Sequence, residues 1–427
     1  MGGGWQETAL GSLTDWSSGG TPSKQVDRYW NGDIPWISAV SMKTTRLHDS
    51  DLKITRQGLE NGSRLADEHS VLLLVRGSEL HKRIPVGMAI RPVAFNQDVK
   101  ALKARKGLLP EYLFYWLLGN ETLLLNKVEH TGIGAGKLDT DVMKKLSISL
   151  PSLPEQHAIA HILSTLDDKI ELNRRMNETL DAMARAFFKS WFVDFEPVRA
   201  KAEGRDTGLP RAIADLFPDS FENSNLGEVP KGWKPGTLAG LASLNPENWS
   251  KDTRPNVINY VDLSNTKWGS IEAVTCYTQK DAPSRAQRVL RPLDTIVGTV
   301  RPGNGSYAFI AEEGLTGSTG FAVLRPKNVK SAEFIYLAAT STDNIETLTH
   351  LADGGAYPAV RPEIVTASQV ILPDNKVLAQ FSQSTAPLLA KIAMNERESR
   401  TLAAQRDTLL PKLLSGEVRV KNVEIME

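Results

Sequence analysis

Residues 146–192 read LSISLPSLPEQHAIAHILSTLDDKIELNRRMNETLDAMARAFFKSWF. The opening run Leu146–Leu150 alternates as a strand does, and prolines follow it. Ser152-Leu-Pro-Glu155 has the form of a capping box, in which a serine hydroxyl and a glutamate carboxylate satisfy free backbone N–H groups at a helix start. Beyond it Ile159, Leu163, Leu166, Ile170, Asn173, Asn177, Leu180, Ala184, Phe187 and Trp191 recur at steps of four and three. Such spacing keeps one stripe on one helix face, heptad after heptad. As a helix, residues 155–192 would be about 57 Å long at roughly 1.5 Å per residue.

The stretch then returns at an offset of 222. Leu146–Pro151 aligns with Ser368-Gln-Val-Ile-Leu-Pro373, Lys169–Asn173 with Lys391-Ile-Ala-Met-Asn395, and Phe187–Phe192 with Leu409–Leu414. Upstream the offset drifts, to 228 for Trp5-x4-Leu10 against Trp233-x4-Leu238 and to about 225 for Arg76-Gly77 against Arg301-Pro302-Gly303. A fixed offset marks a rigid, gap-free element, and a drifting one marks a domain that accepts loop insertions. The chain is therefore read as two copies of one unit. The expected class is α+β: two tandem mixed α/β domains, each followed by a long helix, with the two helices packed together because each stripe otherwise lies exposed. The boundaries fall at 1–151 (first domain), 152–196 (helix), 197–229 (connector), 230–373 (second domain), 374–418 (helix) and 419–427 (tail). The pairing residues are Ile159, Leu163, Leu166, Ile170, Asn173 and Leu180 on the first helix and Leu388, Ile392, Asn395 and Leu402 on the second. Pro387 is expected to kink or restart the second helix. Asn173 and Asn395 hold equivalent seam positions, either as residues of a solvated stretch or as a polar pair that sets register. Within the domains, Val71–Val75, Thr295–Val300, Phe321–Leu324 and Gln369–Leu372 read as strands, and Pro110–Leu118 and Ala332–Ala338 as helices.

The 427 residues suffice for two to four domains, and 41% hydrophobic with 23% charged residues is ordinary globular composition. The single cysteine, Cys276, excludes an intramolecular disulfide framework and fits a reducing cytosol. No apolar run nears the roughly 18–20 residues of a membrane span, and Met1–Gly4 does not open a secretory signal. The expected location is the cytoplasm.

Catalytic patterns fail on inspection. Gly132-Ile-Gly-Ala-Gly-Lys137 lacks the first glycine and the final Ser/Thr of a phosphate loop, because Thr131 and Leu138 stand there. Asn245-Pro-Glu-Asn248 lacks the second proline and the aromatic of an amino-methyltransferase tetrapeptide. His157 and His161 are four apart on a helix but have no Glu between them, so a plain helix surface is expected and no metal is assigned. Gly-x-Ser-x-Gly is absent.

Positive charge, in contrast, is clustered within a chain of 50 basic and 50 acidic residues. Arg76–Lys106 carries a net charge of +6 and Lys280–Arg301 of +3, while residues 155–196 carry −3. Domain totals are small, so local patches must carry any contact with a polyanion. The candidate DNA-binding residues are Arg76, Lys82, Arg83, Lys100, Lys103, Arg105 and Lys106 in the first patch, with Lys24, Lys43 and Arg46 nearby, and Lys280, Arg285, Arg288 and Arg301 in the second. Trp36 and Trp268 are expected to pack within the fold.

Three segments then carry a family resemblance: Gly19-Gly-Thr-Pro-Ser23 with Tyr29-Trp-Asn-Gly-Asp-Ile-Pro-Trp-Ile-Ser38; Gly132-x-Gly-x-Gly with Leu138 and Ile148-Ser-Leu-Pro-Ser-Leu-Pro-Glu-Gln156; and Trp191-Phe-Val-Asp-Phe-Glu-Pro-Val-Arg199 with Leu216-Phe-Pro-Asp219 and Gly227-Glu-Val-Pro-Lys-Gly-Trp233. Together they resemble the specificity subunit of type I restriction–modification systems. The second half departs from that pattern at Asn245-Pro246 and at Asp374-Asn-Lys-Val. The resemblance implies target-recognition domains that each read half of a split, asymmetric site in double-stranded DNA, and helices paired as an antiparallel coiled coil. It implies as partners two methyltransferase subunits, which carry S-adenosylmethionine and methylate adenine N6. A restriction and translocation subunit using ATP and Mg2+ joins where the system has one. The chain itself is expected to be non-catalytic and to bind no cofactor. The competing readings are a self-contained methyltransferase or nuclease, and a coiled-coil interaction protein without DNA contact.

Overall fold

The computed structural model describes residues 5–131, 134–250, 252–355 and 357–420. Met1–Gly4, residues 132–133 of the glycine stretch and most of the 419–427 tail lie outside the described residues, as do the expectations placed on them. The chain forms two units, Met1–Glu171 with Glu398–Glu427, and Leu172–Arg397.

The first unit holds two principal sheets. One runs in the order Lys53–Ile54, Trp30–Ile37, Val93–Phe95, Arg64–Ala66; the other Thr14–Ser18, Val99–Ala104, Val71–Leu74, Val86–Ala89, Arg46–Leu47. Val71–Leu74 is buried throughout, so this strand reads as an unbroken apolar run and not as an alternating one. Against the core packs the helix Pro110–Gly119, which buries Tyr112 through Leu117. Gln6–Ala9 pairs antiparallel with Ser147–Leu150, tying the start of the unit to the strand before the long helix.

The second unit repeats this topology, except that its second sheet has four strands, with only a bridge from Gly269 to Ala308 in place of a strand like Arg46–Leu47. Thr275–Thr278, Val257–Val261, Leu315–Ser318 and Ala286–Val289 form one sheet, and Ala242–Leu244, Phe321–Pro326, Thr295–Gly298 and Tyr307–Phe309 the other. In both units the centre of the first sheet is a parallel pair, Trp36–Ile37 on Ala94–Phe95 and Asn259–Val261 on Leu315–Gly317. Lys234–Thr237 pairs with Gln369–Leu372 as the first unit's opening strand does with its last. Helix Ala332–Ala339 is buried along its whole length.

Leu153–Phe192 and Asn375–Leu414 are continuous helices of 40 residues each. In the first unit Asp167 accepts from Arg406 Nη1 at 2.7 Å, and Lys169 pairs with Glu398 at 3.3 Å. In the second, Asn173 Nδ2 donates to the Asn395 carbonyl, Asn177 Nδ2 to that of Ile392, and Phe188 and Phe192 lie on Phe381. Residue numbers fall on one helix as they rise on the other, so the pair is antiparallel. Ile159, Leu163, Asn173 and Asn395 are buried, while Leu166, Ile170, Leu180, Leu388, Ile392 and Leu402 are half-buried.

Four details depart from the sequence reading. Asn173 and Asn395 are 0% and 1% exposed, which removes the solvated alternative; Asn395 Nδ2 donates to Asn177 Oδ1 at 2.8 Å. Pro387 does not interrupt its helix. Its missing N–H leaves one bond unmade, and the buried Phe381, Thr385 and Leu389 around it hold the turn in place. The capping box does not form, because the Glu155 carboxylate is taken by Trp5 Nε1 at 3.0 Å and by Arg419. The connector is folded: Glu196–Ala202 is helical, Phe221–Ser224 and Gly227–Pro230 form a hairpin, and Phe217 packs edge-on against Trp191 at 5.0 Å.

Candidate nucleic-acid interface

In the first unit Val128–Thr131 pairs antiparallel with Ala135–Leu138. The second of these strands pairs with Arg76–Gly77, setting Arg76 opposite Lys137. Gly136 is required there, since a Cβ would lie 2.8 Å from the Leu80 and Val128 side chains. Arg76 is exposed and has no ion pair among the described residues. Lys100 donates to Ser18 Oγ, and its pKa is drawn down by burial first, then by the charges of Lys144 and Arg76. Three cations thus share one neighbourhood; Lys144 has Asp141 at 3.6 Å, whereas Arg76 and Lys100 have no ion pair among the described residues. Lys137 and Lys144 border these two but escaped the sequence reading, because they lie outside the densest basic run; Lys137 pairs with Asp139 at 3.3 Å.

Other members of the first patch are committed within the protein. Lys103 pairs with Asp67 at 2.8 Å, Arg105 Nε with Asp15 at 3.0 Å, and Arg83 with Glu79 at 3.3 Å. Arg46 is bound to Asp168 of the long helix. Lys24, Lys43, Lys82 and Lys106 are exposed and have no ion pair among the described residues. The Gly19-Gly20 segment is a packing strap: Cβ atoms there would lie 2.0 Å from the Phe95 carbonyl and 2.3 Å from that of Gly62. Trp36 Nε1 donates to the Gly20 carbonyl at 3.0 Å, and Trp36 packs as expected. In the second unit Asn245 takes over the strap, with φ of +47° and its side-chain oxygen accepting from Val323 N–H at 2.9 Å. Asp374 caps the second long helix by accepting from Lys376 N–H at 2.7 Å.

The two patches do not correspond. Topology matches Val71–Leu74 to Thr295–Gly298, so residues 280–294 precede that strand whereas Arg76–Lys106 follow it. Lys137 pairs with Arg76, and Ala359 bridges Val300, which makes Val300 the counterpart of Arg76 and places Arg301 at the position of Gly77. Sequence spacing failed here because loop insertions shift the offset by a residue. Arg285 is held by Tyr260 Oη at 2.9 Å and Asp262 at 2.6 Å, and its pKa is raised by these bonds, Tyr260 foremost. Arg288 donates to Asn248 Oδ1 at 2.7 Å, and burial lowers its pKa. Lys280 is exposed in a turn. Arg301 is exposed over the ring of Tyr357. Trp268 is less buried than expected: it is 63% exposed, and its indole rests on Gly305 and Tyr307 at the tip of a hairpin.

Among the described residues no group of His, Cys, Asp or Glu could hold a metal ion, and His157 and His161 are exposed. No helix is long and apolar enough to cross a membrane.

The fold is thus a duplicated α+β unit carried on an antiparallel helix pair, with Arg76 and Lys100 left without an ion pair among the described residues. Residues 2–182 match the family model described as the type I restriction modification DNA specificity domain. The chain is 25% identical over 425 residues to the type I restriction enzyme MjaIX specificity subunit of Methanocaldococcus jannaschii, covering 98% of this chain and 94% of that one. It is 28% identical to the HindI specificity subunit of Haemophilus influenzae, over 73% of this chain and 78% of the relative. The crystal structure of a type I restriction–modification S subunit from M. genitalium shares the fold, with a TM-score of 0.58 at 14% identity, covering 98% and 97% of the two chains. Residues 2–182 thus carry the match to a DNA specificity domain, and over nearly its whole length the chain is similar to type I restriction enzyme specificity subunits.

Proposed function

We propose that each unit reads one half of a bipartite, asymmetric site in double-stranded DNA, and that the paired helices scaffold two methyltransferase subunits. The observation that carries this reading is the duplication of one topology with different loop residues. Two unlike reading heads on one chain recognise two unlike half-sites, where a symmetric dimer would require a palindrome. The partner methyltransferases bring S-adenosylmethionine and transfer its methyl group to adenine N6. A translocating nuclease subunit with ATP and Mg2+ adds restriction. The chain binds none of these cofactors and works in the cytoplasm. Arg76 and Lys100 in the first unit hold phosphate oxygens, which position the duplex without encoding sequence.

The test is co-expression with candidate methyltransferase subunits, followed by mapping of methylated adenines across the host genome. A split motif with two different halves is expected. A palindromic or continuous motif would overturn the reading, and so would methyl transfer by the purified chain alone from labelled S-adenosylmethionine.

A further inference from the structure

In the second unit Thr266–Lys267 and Ser270–Ile271 form a hairpin whose two-residue tip is Trp268-Gly269. Both tip residues have positive φ, +49° and +95°. That geometry ordinarily selects Asn-Gly, and a bulky residue at its first position is strained. Burial does not offset the strain, because Trp268 is 63% exposed. The tip is nevertheless fixed. Trp268 N–H donates to the Gly305 carbonyl at 2.6 Å and Gly269 N–H to that of Tyr307 at 3.0 Å. The indole lies against Gly305, where a Cβ would come within 2.5 Å of the ring, and meets Tyr307 edge-on at 6.0 Å.

Arg301 stands at the other end of the same loop, also with φ of +49°. Its N–H donates to the Pro358 carbonyl at 2.7 Å, and its guanidinium lies 4.7 Å from the centre of the Tyr357 ring, which is 71% exposed. The turn Pro302–Asn304 joins the two ends. One short loop is therefore bordered by two exposed, braced aromatic rings, with Arg301 and the exposed Lys267 between and beside them. The first unit has no equivalent. Its Ala39–Ser41 turn matches Leu263–Asn265, so Met42-Lys43-Thr44 stands where the second unit has Thr266-Lys267-Trp268. The loop matching 353–359 is Glu129–Lys137, whose sequence holds His130 but no Phe, Trp or Tyr.

We propose that Trp268, supported by Tyr357 and Arg301, is an aromatic wedge that enters the base stack of the second half-site. The proposal rests on the DNA-reading function above. A flat ring can stack on any base, and an inserted wedge unstacks a base step and kinks the duplex. Pyrimidine–purine steps yield most easily, so the second unit reads part of its half-site as deformability whereas the first does not. Cations interleaved with the rings suit a polyanion better than the apolar face of a protein partner.

The test uses the complex of the full chain with its methyltransferase subunits and a duplex carrying the mapped site. 2-Aminopurine replaces each adenine of the second half-site in turn. Binding is expected to raise fluorescence at a position distinct from the methylated adenine. Trp268→Asn, which suits the turn and should melt no lower than the unaltered chain, is expected to abolish that rise and weaken binding about ten-fold. Trp268→Phe is expected to preserve both. Unchanged fluorescence and affinity in Trp268→Asn would overturn the wedge, as would loss of methyltransferase co-purification with DNA binding intact. Failure of the unaltered complex to bind the mapped duplex would overturn the DNA-reading function as well, and that outcome is visible without any variant.

Discussion

Burial, and then the charges of Lys144 and Arg76, hold Lys100 below the usual lysine pKa, whereas Lys103 is raised, chiefly by its hydrogen bond to Asp67. On the proposed reading, this difference separates the cations that bind phosphate from those already paired within the protein. Arg76→Ala and Lys100→Ala should each lower the slope of log affinity against log salt by about one, uniformly across DNA sequences. Lys103→Ala should change it less, because removing that lysine also frees Asp67. Fluorescence anisotropy over a salt series measures this, and equal slopes for all three variants would refute the distinction. Glu333 illustrates a residue no sequence pattern flags: it is 3% exposed, and burial raises its pKa. A carboxyl that keeps its proton in the folded state after the unfolded chain has lost it makes stability fall as pH rises past 4.5 toward the folded pKa. Glu333→Gln should therefore raise the melting temperature at pH 8, with the gain disappearing near pH 4. A gain independent of pH would argue against a charged carboxylate there. The basic run announced a patch in the sequence, but which of its members have acidic partners depended on strand pairing that linear spacing does not encode.

At the scale of elements, the long helices were legible because a seven-residue rhythm needs no long-range information. The sheets were legible only as isolated strands such as Val71–Leu74, since their order depends on partners far along the chain. Prolines misled once, at Pro387, where packing outweighs local propensity. The buried asparagines make the strongest element-level claim. Asn173 and Asn395 are buried between the helices, and Asn395 also bonds Asn177. Asn173→Leu alone should destabilise the second unit by about 1–3 kcal/mol, because the polar groups facing it stay buried without their partner. Replacing Asn173, Asn177 and Asn395 together by Leu should recover most of that loss while weakening the register constraint. Denaturant midpoints of the single and triple variants decide the matter; a stabilising single variant would mean that the amide contributes no favourable pairing.

At the scale of the whole molecule, the proposed function makes the long helices the ruler between the two half-sites. Both are unbroken across 40 residues and share one seam. A helix gains about 1.5 Å per residue, so three heptads add about 32 Å. One DNA turn is roughly 34–36 Å. Inserting 21 residues into each helix at facing seam positions would therefore keep the seam in phase and advance the duplex by nearly one turn, so that the same groove faces each reading head (about 21 because three heptads are the smallest seam-preserving length near a DNA turn). The methylated motif should keep both halves and gain about ten unread base pairs between them. A single heptad in each helix should instead abolish methylation, because about 10 Å of added length turns the second half-site by roughly a third of a turn away from its reader. Methylome sequencing of strains carrying each insertion separates the outcomes. An unchanged spacer in the longer variant would mean that the partners, and not these helices, set the distance.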